Sequence, residues 1–139
     1  EVPGVECVDL DTLFRRADIV SLHTAMTPET HHLVSAQRLA AMKDGAILIN
    51  TGRGGLVDEH ALVDELDRGR LYAGLDVYTE EPLATDSPLM RCDNVVLVPH
   101  LGSATATTRQ AMMERALANL VSGLSGLELP FCVNPSVYG

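Results

Sequence analysis

Ala46-Ile47-Leu48-Ile49-Asn50 is an apolar run closed by an amide, and Thr51-Gly52-Arg53-Gly54-Gly55 follows it at once. An apolar run of this length, stopped by a glycine-rich turn, predicts a strand buried on both faces, as in a parallel sheet. The pattern recurs at residues 18–23, at 71–78 (interrupted by Gly74) and at 94–100. Helical patterns lie between these runs. Residues 10–17 carry Leu13 and Phe14 behind a cap at Asp11, and residues 35–42 open on Ser35 and stop near Gly45. Residues 58–68 open on Asp58, place Leu62 and Leu66 four apart and meet a stop at Gly69. The longest helix is expected over 105–124, with Met113, Leu117, Leu120, Val121 and Leu124 among its apolar positions. Strand and helix in alternation are the βαβ rhythm, so the fold class is α/β with a parallel sheet. A further short strand is expected at residues 5–8. The tail after Gly126 carries Pro130 and Pro135, has no period and reads as an extended segment.

Composition narrows the function classes. The 139 residues are 46% hydrophobic and 21% charged, enough to fill the core of a globular domain. Ten basic residues against nineteen acidic ones leave a net charge of −9, which argues against a nucleic-acid backbone as partner. No apolar run approaches the roughly 18 residues of a membrane helix. Cys7, Cys92 and Cys132 are an odd, scattered set that suits the reducing cytoplasm better than a disulfide framework. His31 and His32 sit in a polar turn, no Cys/His spacing resembles a metal site, and Met112 and Met113 read as packing residues. Neither G-x-G-x-x-G nor G-x-x-x-x-G-K-[ST] occurs in the chain.

In parallel α/β sheets, ligands bind beyond the carboxyl ends of the strands. Three successive strands here deliver Arg53, then Glu80 and Glu81, then His100 to that edge. Arginine presents a planar fork for a substrate carboxylate. Histidine exchanges protons near neutral pH, and a carboxylate beside it favours the imidazolium and orients the ring. Taken singly, Arg53 is as well explained as a solvated loop residue, Glu80 and Glu81 as a solubilised turn, and His100 as a hydrogen-bonded core histidine. Their arrival together on consecutive strand ends favours a site.

These residues also resemble a known family. Residues 17–23 with Thr27-Pro28-Glu29-Thr30, the arginine-bearing segment 49–59, Gly74-Leu75-Asp76-Val77-Tyr78 with Glu81-Pro82, and the histidine-bearing segment 99–105 are similar, in order and spacing, to the D-isomer-specific 2-hydroxyacid dehydrogenases. The resemblance covers about Val8 to Pro135 and implies the C-terminal part of a Rossmann-type dinucleotide-binding domain. It implies that His100 is the acid/base for the substrate carbonyl. It implies that Glu81 pairs with His100 and that Arg53 binds and polarises the 2-oxo acid. Asp76 would hold the nicotinamide carboxamide of NAD or NADP. Ala25, Thr51, Gly52, Arg53, His100, Gly102 and Ser103 would line that cofactor. Ser103-Ala104-Thr105 and the tail through Val133-Asn134-Pro135 look most like glyoxylate/hydroxypyruvate reductases, with phosphoglycerate dehydrogenases as an alternative. Glu81 stands where formate dehydrogenases of the family carry Gln, and Ala25-Met26 departs from a common Pro-Leu.

The resemblance also implies what is not in this sequence: the first strands, the G-x-G-x-x-G loop, the residue that selects NAD or NADP, and a substrate domain. Together with a start at Glu1, this leads us to expect a fragment of a longer reductase, inactive alone. Residues 1–126 are then the domain part, and 127–139 a tail that packs on the substrate domain. The parent chain is expected to be a cytoplasmic homodimer acting on a small 2-oxo acid. Without the preceding strand, the 18–23 strand would have an open, association-prone edge. A dinucleotide-sensing co-repressor of the same fold is the rival from another class.

Overall fold

The computed structural model describes residues 3–138. The elements are α1 (Leu10–Arg16), β1 (Ile19–Leu22), α2 (Ala36–Ala41), β2 (Ile47–Asn50), α3 (Glu59–Asp67), β3 (Tyr72–Leu75), β4 (Val95–Leu97) and α4 (Ala106–Leu124). They divide into two compact units, one ending at His100 and one beginning at Leu101.

In the first unit, four parallel strands lie side by side in the order β1-β2-β3-β4. The register aligns Leu22, Asn50, Leu75 and Leu97 across the sheet. Side chains alternate between faces along a strand, so Val20, Leu22, Leu48, Ala73 and Leu75 share one face, and all are buried. Phe14 of α1, Leu39 of α2 and Leu62 and Leu66 of α3 join them in one core, which places these helices on that face. The expectation of strands buried on both faces is corrected here. Ile19 is 58%, Tyr72 50% and Val96 67% exposed on the opposite face. Unbroken apolar sequence encodes strands able to be covered twice, and in this unit helices cover one side.

Local sequence explains the helix ends. Asp9, not Asp11, caps α1: its backbone is extended and its carboxylate accepts the Thr12 N–H at 2.8 Å. Asp11 lies one residue inside the helix, where it pairs with Arg38 at 3.1 Å. Ser35 and Asp58 cap α2 and α3 as their sequence predicts. Gly69 ends α3 with a φ of +67°, a left-handed conformation that only glycine takes without steric cost. Arg70 then ties this corner to α2, donating to the Leu39 and Met42 carbonyls and pairing with the buried Glu65. Residues 5–8 form no strand: the segment pairs with none of the described strands, and the outer edge of β1 is unpaired among them.

In the second unit Thr105 caps α4 by accepting the Thr108 N–H at 3.2 Å. No residue of α4 is buried, and Met112 and Met113 are 57% and 67% exposed, contrary to their reading as packing residues. The unit supplies little to cover a 19-residue helix. Its tail folds back rather than running extended. Asn119 bonds both the N–H and the carbonyl of Phe131, whose ring lies 5.2 Å from the Arg115 guanidinium. Pro135 opens a short 3-10 turn ending at Tyr138, whose hydroxyl accepts the Leu129 N–H at 2.9 Å.

One-sided burial makes a stability contrast. Leu48→Ala, at a fully buried site in β2, is expected to cost about 2–5 kcal/mol of unfolding free energy. Ile19→Thr on the exposed face is expected to cost less than about 0.5 kcal/mol. Denaturant melts of the two variants test this, and equal losses would contradict the one-sided core.

Candidate active site

The parallel register makes β1, β2 and β3 finish level, so their following loops emerge on one edge of the first unit. The loop after β2 is shaped by Asn50, which is 1% exposed. Its side-chain Nδ2 donates to the Arg53 carbonyl at 2.9 Å and its Oδ1 accepts the Gly52 N–H at 3.1 Å. Gly54 then passes against the backbone after β3: a Cβ there would lie 1.9 Å from the Tyr78 carbonyl carbon and oxygen. No side chain fits, so glycine is required for this contact. On the other side the loop after β1 is stitched to the same turn, with His32 N–H on the Gly55 carbonyl and Val34 N–H on that of Leu56.

His100 is aimed by a tight turn. Its N–H donates to the Val98 carbonyl at 3.1 Å, across Pro99, and its φ is +53°. The same carbonyl accepts the Tyr78 hydroxyl at 2.9 Å, which joins the end of β4 to the loop after β3. His100 Nδ1 lies 2.7 Å from Glu81 Oε2, while Glu81 Oε1 accepts the Tyr78 N–H at 3.1 Å. Both carboxylate oxygens are thus engaged, and Nε2 stands outside the pair. The hydrogen bond with His100, then that from Tyr78, hold the Glu81 carboxyl below the usual glutamate range, and the Arg53 charge adds to the effect. Arg53 is therefore within electrostatic reach of Glu81; its exposed guanidinium also donates to the Gly52 carbonyl at 2.7 Å.

Two openings flank these groups. A cleft of about 560 Å³ runs beside His100 and Glu81 and is walled mainly by apolar side chains, among them Leu83, Met90 and Leu97. A second hollow of about 360 Å³ is lined by Thr24, Ala25, Met26, Gly52 and Arg53. Of the residues singled out in the sequence, Ala25, Gly52 and Arg53 thus share one hollow, and Glu81 and His100 share the cleft. Thr51 is exposed in the loop after β2, directly before Gly52 and Arg53. Asp76 is 4% exposed, and its N–H donates to the Asn50 carbonyl at 2.9 Å. Gly102 and Ser103 belong to the second unit, in a turn closed by the Ala104 N–H on the Leu101 carbonyl at 2.9 Å.

Three other histidines have local partners. His23 bonds Ser21 at 2.9 Å, and His31 stacks on His32 with centroids 3.9 Å apart. Among the described residues, no cluster of three His, Cys, Asp or Glu could hold a metal, and no helix is long and apolar enough to cross a membrane. Sequence reasoning missed Asn50 and Tyr78 as builders of the site. An amide at a strand end two residues before glycine is a turn signal that could have exposed Asn50. Nothing local marks Tyr78, because its partners come from three separate segments.

The chain resembles known proteins. Residues 1–102 match the family model for the D-isomer specific 2-hydroxyacid dehydrogenase, NAD binding domain. The glyoxylate/hydroxypyruvate reductase B of Escherichia coli O1:K1 is 52% identical over 130 residues. That match takes in 93% of this chain but 40% of the relative, so the chain spans well under half the length of such curated relatives. The crystal structure of the TT0316 protein from Thermus thermophilus superposes with a TM-score of 0.83 at 54% identity, over 88% of this chain and 40% of that one. An acyclic imino acid reductase in complex with NADPH and D-Arg superposes with a TM-score of 0.77 at 35% identity, over 91% of this chain and 40% of that one. With a parallel α/β sheet, an arginine loop and a Glu–His pair on successive strand ends, and a family model that matches most of its length, the chain belongs to the D-isomer specific 2-hydroxyacid dehydrogenases, within their NAD-binding domain.

Proposed function

We propose that this segment supplies the acid/base half of an oxidoreductase that interconverts a small 2-oxo acid and its 2-hydroxy acid, glyoxylate or hydroxypyruvate being the preferred substrates. The observation that carries the proposal is the 2.7 Å His100–Glu81 pair with the Arg53 charge in reach. The likeness to the Escherichia coli glyoxylate/hydroxypyruvate reductase B supports the choice of substrate. The cofactor is NAD or NADP. The 360 Å³ hollow at the ends of β1 and β2, where Thr24, Ala25 and Gly52 stand beside Met26 and Arg53, suits a flat ring and its amide, at the edge where parallel sheets bind ligands. Ala25, Thr51, Gly52, Arg53, His100, Gly102 and Ser103 would hold it, with Asp76 on the carboxamide. When bound, the reduced dinucleotide supplies the hydride.

The chain's own groups do the rest. Arg53 clamps the substrate carboxylate and polarises the neighbouring carbonyl. Protonated His100 gives its proton to the carbonyl oxygen as that oxygen becomes the hydroxyl, so each reduction consumes one proton from solvent. In oxidation, neutral His100 takes the hydroxyl proton. Glu81 stays ionised, engages Nδ1 and leaves Nε2 to the substrate. In the complete enzyme, residues 1–126 belong to the dinucleotide domain and 127–139 pack on a substrate domain. The parent protein is a cytoplasmic homodimer; the free Cys7, Cys92 and Cys132 are in keeping with that compartment.

Three outcomes follow. His100→Ala in the complete enzyme should lower kcat for reduction by about 10²–10⁴-fold while leaving NAD(P)H affinity unchanged, as read by steady-state kinetics and fluorescence titration. Reduction, which needs the protonated imidazole, should weaken as pH rises, and oxidation, which needs the neutral one, should strengthen; identical profiles in both directions would refute the role. Glu81 titrates low because His100 and Tyr78 bond its ionised form, so the pair persists above the usual glutamate range and is lost as pH falls through the depressed value. Carboxyl NMR should therefore show Glu81 moving up towards an ordinary glutamate in His100→Ala.

A further inference from the structure

We propose that Asn50 is the positioning residue that aims Arg53, acting through the loop backbone and touching neither substrate nor cofactor. The inference rests on the function proposed above. Asn50 ends the inner strand β2, in register with Leu22 and Leu75, and faces the buried side of the sheet as Leu48 does. A buried amide needs partners for both its donor and its acceptor. Asn50 finds both within three residues: Nδ2 donates to the Arg53 carbonyl at 2.9 Å, and Oδ1 accepts the Gly52 N–H at 3.1 Å. These bonds close a ring around residues 51–53 and hold the Arg53 backbone from behind. Gly54 holds it from ahead, pressed on the Tyr78 carbonyl, and Tyr78 is itself bonded to Glu81. The Arg53 backbone is therefore set relative to the Glu81–His100 pair, which fixes the point from which its side chain extends. A residue serving the core alone would not need both bonds to fall on the arginine's own loop.

The substitutions separate the two bonds. Asn50→Ala removes both. Asn50→Asp keeps an acceptor for the Gly52 N–H but sets a second carboxylate oxygen against the Arg53 carbonyl. A displacement of about 1 Å at a substrate-orienting group costs on the order of 10²-fold in rate. In the complete enzyme, Asn50→Ala should therefore lower kcat/KM for the 2-oxo acid by about 10–100-fold, with the Kd for NAD(P)H changed by less than about twofold. The decisive measurement is a double-mutant cycle with Arg53→Gln. If Asn50 acts through Arg53, adding Asn50→Ala to Arg53→Gln should cost less than about threefold more. A full additional loss, or an equal weakening of NAD(P)H binding, would overturn the proposal. Should Asn50→Ala fail to fold, Asn50→Asp carries the same cycle; failure of both would return Asn50 to a purely structural role. An Arg53→Gln enzyme with unchanged kcat/KM would instead defeat the underlying function of Arg53, an outcome distinct from additivity.

Discussion

The parallel pairing of β1, β2 and β3 in matched register is the constraint on which the rest depends. It brings Leu22, Asn50 and Leu75 level and lets their following loops leave the sheet on one edge. Parallel strands achieve this because every crossover returns the chain to the same end. Helices α1 to α3 cover one face of the same strands and lock the register, since a slip of one residue would turn Leu48 and Leu75 out of the core. The loops that carry the polar groups are thus mounted on a rigid edge.

On that edge the polar groups are linked by backbone as much as by side chains. Glu81 meets His100 through one oxygen and the Tyr78 N–H through the other. The Tyr78 hydroxyl and the His100 N–H share the Val98 carbonyl. The Tyr78 carbonyl receives Gly54, beside Arg53. Each bond is modest alone, about 1 kcal/mol net. Their value lies in making the Arg53 loop, the Glu81 turn and the His100 turn a single connected frame, which is the preorganisation that the proposed proton transfer needs.

Much of this was legible in the chain. The four strands, the caps at Ser35 and Asp58, and the stop at Gly69 follow from apolar runs and from residues whose backbone or side-chain chemistry suits a helix end. Asp9 escaped because two aspartates flank Leu10, and the choice between them depends on which takes the extended backbone of a cap. The expected double burial of the strands escaped for a different reason. Apolar sequence states what a face can tolerate, and what covers it is decided by other elements. Met112 and Met113 are apolar by type and exposed in place for the same reason.

Local chemistry in the sequence determined the element order, the parallel sheet, and the delivery of Arg53, Glu81 and His100 to consecutive strand ends. These depend on spacing along the chain, which the sequence contains in full. Tertiary structure alone decided that Glu81 engages Nδ1 of His100 and that Tyr78 joins three segments. Those bonds join groups up to twenty residues apart, and a hydrogen bond exists only when folding has brought donor and acceptor within about 3 Å.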